Sequence, residues 1–171
     1  MASERSKMAF RAGHKDLRHA DLIDADLSGA RLSGANLSGA RLNGASLRGA
    51  DLRGALLNDA ELTDSDLSGA DFRGASLREA RISVAILSGA DFRGADLTNA
   101  FFGLSDFRGA DFRGAVLGAD LSSTDLSGAD FSGADFINGA TLEGADLEGA
   151  DFTGANLTGA TMPDGNKYKA K

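Results

Sequence analysis

Residues 70–74 read Ala70-Asp71-Phe72-Arg73-Gly74, and the next five, Ala75-Ser76-Leu77-Arg78-Glu79, follow the same pattern with other side chains. The unit is small, short polar, large apolar, polar, turn-former. A period of five matches neither the 3.6 residues of a helical turn nor the sustained alternation of a long strand. Three residues of the unit do alternate, so Ala70 and Phe72 share one side and Asp71 points to the other. The remaining two must turn the chain. Gly in the second turn position suits a type II turn, where φ is positive. Each unit is therefore a short extended side followed by a corner.

Outward from that stretch the pattern runs almost the whole chain. The large apolar residue, the centre of each unit, recurs every five residues from Leu17 to Leu117. It slips by one to Leu121, continues through Leu126, Phe131 and Phe136, slips back, and runs from Leu142 to Met162. All 30 centres are Leu, Phe, Ile or Met. Ala stands two residues before the centre in 26 units, the exceptions being Lys15, Ser65, Ser105 and Thr124. Gly stands two residues after it in 18, a density that excludes a helix. Phe72, Phe92, Phe112, Phe131 and Phe152 return about every twenty residues. So do Asp51, Asp71, Asp91 and Asp111, and Arg53, Arg73, Arg93 and Arg113. Twenty residues are four units, and four corners close a square. The fold class expected is all-β, a quadrilateral β-solenoid of about 7.5 coils of 20 residues. At the ~4.8 Å spacing of stacked strands it is roughly 36 Å long.

Ala25-Asp26-Leu27-Ser28-Gly29, Ala70-Asp71-Phe72-Arg73-Gly74 and Ala155-Asn156-Leu157-Thr158-Gly159 resemble the repeats of the pentapeptide repeat proteins. The resemblance extends over about residues 15–163 and implies a right-handed coil. It also implies a functional precedent: some members bind DNA gyrase by imitating the shape and charge of duplex DNA. Members of that kind dimerise through a C-terminal helical element, whereas this chain ends in a short basic tail. The expected organisation is an N-terminal cap over residues 1–14, with Phe10 inward, a solenoid over 15–163, and a C-terminal basic tail over 164–171. Pro163-Asp164-Gly165-Asn166 reads as a turn, and Lys167-Tyr168-Lys169-Ala170-Lys171 as a frayed end.

The two slips enclose one coil. Ala115-Val116-Leu117-Gly118 is one residue short, and Ala134 to Gly139 is one too long. A deletion and an insertion that compensate at corners explain the pair. The alternative is a kink or bulge that shapes a binding surface.

Composition excludes several kinds of chemistry. The 171 residues contain no Cys, which removes disulfides and Cys-ligated metals. His14 and His19 are the only histidines, so no Ser-His-Asp triad fits within the repeats. His14, His19 and Asp16 could be imagined as metal ligands but read as exposed first-coil side chains. The Asp residues before the centres alternate freely with Asn, as expected of short side chains that bond the backbone beside a corner. No catalytic residue, metal or cofactor is assigned, and the chain is not read as an enzyme. No run of 18 apolar residues or signal peptide is evident, which points to the cytoplasm and away from membranes.

Surface patterning offers two candidates. Residues 114–166 hold nine acids and no base, within a chain of net charge −7. Asp120, Asp125, Asp130, Asp135, Glu143, Asp146, Glu148 and Asp151 form the expected anionic surface, which disfavours nucleic acid and suits a basic partner. Outward apolar residues are few. Ile23, Leu56, Val116 and Ile137 are scattered, but Val84 and Leu104 are twenty apart, with Phe101 on the same face and Ile86 round the corner. Val84, Ile86, Phe101 and Leu104 form the candidate interface, for a homodimer or another protein. The function expected is a non-enzymatic rigid solenoid, a structural or protein-interaction module with an unidentified macromolecular partner. The alternative is a DNA-mimicking protein that binds DNA gyrase, protectively or as an inhibitor.

Overall fold

The computed structural model describes residues 15–169, so the expected cap over 1–14 lies outside the described residues. There are no helices among the described residues, and the chain winds as one continuous coil. Each coil lies in parallel register on the next: Asn36 pairs with Leu56, Leu56 with Ser76, and Ser76 with Asp96, twenty residues on wherever no slip intervenes. Four units therefore separate stacked residues, and the coil has four sides. Face 1 carries the centres Leu17, Leu37, Leu57, Leu77, Leu97, Leu117, Phe136 and Leu157. Face 2 carries Leu22, Leu42, Leu62, Ile82, Phe102, Leu121, Leu142 and Met162. Face 3 carries Leu27, Leu47, Leu67, Leu87, Phe107, Leu126 and Leu147, and face 4 Leu32, Leu52, Phe72, Phe92, Phe112, Phe131 and Phe152.

The faces are not extended strands. One residue per unit makes the bridge, because the chain turns before a second can pair. Three hydrogen bonds still join a regular unit to its neighbour. Leu37 N–H donates to Leu56 O at 2.7 Å, Gly39 N–H to Asn58 O at 2.8 Å, and Leu56 N–H to Ala35 O at 2.9 Å. Corners close with a bond from the next Ala, as from Ala40 N–H to Leu37 O at 2.9 Å. The second corner residue has positive φ, Gly74 at 63° being typical, while the first does not, which is the type II pattern.

Twenty-seven of the 30 centres are buried, with the Ala residues filling the space beside them. Face 4 stacks its rings down the bore: Phe72 on Phe92 at 4.7 Å, Phe92 on Phe112 at 5.0 Å, Phe112 on Phe131 at 4.8 Å, and Phe131 on Phe152 at 4.9 Å. Leu147, Phe152 and Met162 are only partly buried, because no coil covers the last one. The basic tail does not fray where it begins. Lys167 bridges Thr161 in antiparallel sense, Tyr168 N–H donates to Ala160 O at 2.8 Å, and Lys167 Nζ donates to Gly159 O and Thr161 Oγ1. Pro163–Asn166 does turn, with Met162 N–H donating to Asn166 O at 2.8 Å.

The register survives both slips. Phe101 pairs with Asp120, nineteen residues on, and Asp120 with Thr141, twenty-one on. Both slips fall at the corner between faces 1 and 2, in successive coils. The short corner, Leu117-Gly118-Ala119, has no left-handed residue. The long one turns Ile137-Asn138-Gly139-Ala140, with Ala140 N–H donating to Ile137 O at 3.1 Å. Asn138 and Gly139 both have positive φ, 52° and 77°, which makes this a type I′ turn on an Asn-Gly pair.

Candidate interaction surface

Outward polar residues are mostly consumed by the fold. The carboxylate before a centre accepts the backbone N–H two residues on, as Asp26 Oδ1 does from Ser28 at 3.1 Å and Asp130 Oδ1 from Ser132 at 2.9 Å. Asn36 serves in the same way. These residues are corner braces, as their interchange in the sequence suggests. Asp16 is similarly engaged, receiving Nε and Nη2 of Arg18, both at 2.8 Å.

On face 4 the braces gain a second role. Arg53 grips Asp51 with Nε and Nη2 at 2.8 and 2.7 Å, and its Nε also lies 3.7 Å from Asp71 in the next coil. Arg73 repeats this with Asp71 and Asp91, Arg93 with Asp91 and Asp111, and Arg113 with Asp111 and Asp130. Charges alternate along an unbroken ladder from Asp51 to Asp130. The side-chain hydrogen bonds from Arg53 hold the Asp51 carboxyl down to about 2, and those from Arg73 and Arg93 lower Asp71 and Asp91 against the opposing effect of burial.

The candidate interface lies elsewhere, around the corner between faces 2 and 3. Phe101 projects from face 2 and Ile86 from face 3, 47% and 46% exposed. Between them, on the corner, Val84 and Leu104 are 50% and 69% exposed. Val84 N–H donates to Gly103 O at 3.1 Å, so the two corners stack. Both residues occupy the left-handed slot, at φ 58° and 62°. A side chain there costs about 1–2 kcal/mol, and a β-branched one is an outlier. The Val84 corner lacks its usual closing bond. Buried Ser105 supplies it, its Oγ accepting Ala85 N–H at 3.1 Å and donating to Ile82 O at 2.7 Å. Leu56, also exposed, stands apart on face 1.

The anionic residues form a collar around the rod and not a patch on one face. Asp120, Asp125, Asp130 and Asp135 project from faces 2, 3, 4 and 1 of a single coil and so encircle the rod. Asp125 stacks under Asp146 and Asp130 under Asp151, while Glu143 and Glu148 extend the collar on faces 2 and 3. Its inner edge is partly neutralised, since Arg108 lies 3.7 Å from Asp125 and Arg113 3.5 Å from Asp130. The candidate interface and the collar meet only at Asp120, beside Phe101.

No helix among the described residues is long and apolar enough to cross a membrane. The family model for pentapeptide repeats matches in eight copies over residues 16–49, 45–83, 85–117, 118–138 and 137–166. No curated protein matches the sequence. Solved structures that resemble it include HetL of the cyanobacterium Nostoc sp. strain PCC 7120, a pentapeptide repeat protein involved in heterocyst differentiation regulation. It is 34% identical, with 90% of this chain and 76% of that one covered and a TM-score of 0.47. Full-length QnrB1, a plasmid-mediated fluoroquinolone resistance protein, is 26% identical over 82% of each chain, with a TM-score of 0.47. A pentapeptide repeat protein of the Arabidopsis thaliana thylakoid lumen is 42% identical over 56% of this chain and 63% of that one, with a TM-score of 0.29. The family model spans almost every coil, and the chain belongs to the pentapeptide repeat family.

Proposed function

We propose that this protein is a non-enzymatic docking scaffold. It is a rigid, right-handed quadrilateral rod of about 7.5 coils that works in the cytoplasm. A macromolecular partner, a second copy or another protein, meets it at Val84, Ile86, Phe101 and Leu104. The observation that carries this reading is the placement of Val84 and Leu104 in left-handed corners, half-exposed or more and stacked on each other. Gly would fill those slots without strain, and a polar side chain without exposing apolar surface. Strain that serves no internal contact is characteristic of functional surface. The test is a photoreactive side chain at position 104, with one at Ser33 on face 4 as control, in extract of the source cell. A discrete adduct from position 104 alone supports the reading, and equal adducts from both positions overturn it. Light scattering decides the self-contact: a dimer that persists in Phe101→Asp places that contact elsewhere.

A second reading rests on the collar. Nine acids without a base over residues 114–166 suit the imitation of duplex DNA that the family resemblance implies for gyrase binding. The balanced ladder of face 4 argues against it, since phosphate carries no compensating guanidinium. A gyrase supercoiling assay decides: no effect at micromolar protein removes this reading.

A further inference from the structure

The compensating slips leave a notch. At the short corner Gly118 is shut between its neighbours: a Cβ there would lie 3.3 Å from Ile137 Cγ1 and 3.5 Å from both Cα and Cγ2 of Thr98. With one residue missing, the edge retreats and a concavity of about 440 Å³ opens, lined by Glu79, Asn99, Phe101, Gly118, Asp120 and Thr141. A second hollow of about 230 Å³ adjoins it, with Glu79 and Phe101 in both walls and Asp59, Glu61 and Arg81 completing it. The half-exposed ring of Phe101 thus stands in a groove bordered by four carboxylates and one guanidinium.

Glu79, like Asp59 in the adjoining hollow, differs from the corner braces. It occupies a left-handed corner at φ 60°, where Gly would be unstrained. Unlike the corner braces, its carboxylate has no hydrogen-bond or ion-pair partner among the described residues. An aromatic face beside carboxylates, Glu79 free and Asp120 holding only Ser122 N–H, attracts a planar cation, which can stack on the ring while its N–H groups donate to the acids. Resting on the docking reading above, we infer that this groove is an arginine-reading subsite. A protein partner lays an Arg guanidinium over Phe101 against Glu79 and Asp120, and its adjoining apolar side chains cover Val84 and Leu104. The excess of negative charge in the groove admits a basic segment and repels phosphate.

The probe is a short N-acetylated, C-amidated peptide, Leu-Ala-Arg-Ala-Leu, titrated into the full chain and followed by amide chemical shifts. Its analogue carries citrulline, the neutral isostere, in place of Arg. The Arg peptide is expected to bind at least about tenfold more tightly and to shift the amides of Asn99, Phe101, Gly118 and Asp120. Glu79→Gln with Asp120→Asn abolishes that preference and leaves citrulline binding unchanged. Equal affinity for the two peptides, shifts centred on Asp125, Asp146 and Asp151, or no binding at millimolar peptide each overturn the inference. Leu104→Ser separates the two proposals. If it weakens both peptides while their affinities stay equal, the docking surface stands and the arginine subsite falls. If the Arg preference holds but Leu104→Ser changes nothing, the subsite stands without the apolar surface.

Discussion

Face 4 and the corner between faces 2 and 3 are built from the same repeat, yet they end in opposite states. On face 4 every guanidinium from Arg53 to Arg113 has a carboxylate in its own coil and another in the next. Beneath that ladder five Phe rings stack without a gap. The face is complete in itself. At the other corner, Phe101, Val84 and Leu104 fill slots that elsewhere hold Asp and Gly, and nothing in the described chain covers them. The ladder between coils survives the exchange, because its bonds do not run through the outward side chains, although the Val84 corner gives up its closing bond to Ser105. In this fold the bore constrains sequence, while the outer positions can be written for a partner.

The largest expected effect sets inside against outside. Phe92 touches Phe72 and Phe112 face to face and Phe107 at 5.9 Å, with no exposure. Phe92→Ala is expected to cost about 3–5 kcal/mol in urea unfolding. Phe101→Ser, which removes the same ring from the surface, should fall within about 0.5 kcal/mol of the parent. Comparable losses would mean that Phe101 is structural and that the contrast between the faces is false.

Next comes the polar residue in the bore. Ser105→Ala leaves Ala85 N–H without its acceptor and Ile82 O without its donor in a buried corner. The expected cost is about 1–3 kcal/mol. Ser65→Ala should cost less, since Ser65 N–H makes its own corner bond to Leu62 O at 3.3 Å and the hydroxyl only adds to it. Equal costs would show that the Val84 corner needs no special support.

Relief of the corner strain is a smaller effect and carries the opposite sign. Val84→Gly should raise stability by about 1 kcal/mol, the left-handed penalty less the extra freedom that Gly gives the unfolded chain. Gly74→Val is the mirror experiment, with open space around the added side chain, and should cost about 1 kcal/mol, the strain less the freedom that the unfolded chain loses. If Val84→Gly is neutral, the slot is not strained and the case for selection at that surface weakens.

Most of the coil was legible in the residues because its determinants are local and repeated. A centre every five residues, Phe and Arg columns every twenty, and Gly at the second corner position left one architecture. The apolar surface was legible as well: twenty-residue spacing brought Val84 over Leu104. The sequence did not reveal what depends on comparing neighbouring coils. Asn138-Gly139 is a type I′ signal, but its meaning appears only against the short corner one coil earlier, where Gly118 opens the notch. Ser105 looked like a lapse from Ala until the broken corner at Val84 supplied its partner. A linear count of the acids in residues 114–166 does not show that they encircle the rod, because successive units face four directions.

The smallest expected effect tests whether face 4 is self-contained. Asp51 is held at about 2 by Arg53, below the ~3.9 of an unfolded chain. The unfolded state therefore takes up the proton first as pH falls. The pair's contribution is complete above the unfolded value and is lost as pH drops from about 4 to about 2. Arg53 is exposed, so at neutral pH the pair adds little, and salt screens it further. Arg53→Gln should accordingly leave the urea midpoint at pH 7 almost unchanged. It should flatten the decline between pH 4 and 2, because Asp51 then titrates nearer its unfolded value. Leu104→Ser removes no titrating group and should keep the full acid decline. If Arg53→Gln and Leu104→Ser share one acid profile, the ladder is ornamental, and face 4 owes its stability to the Phe stack beneath it.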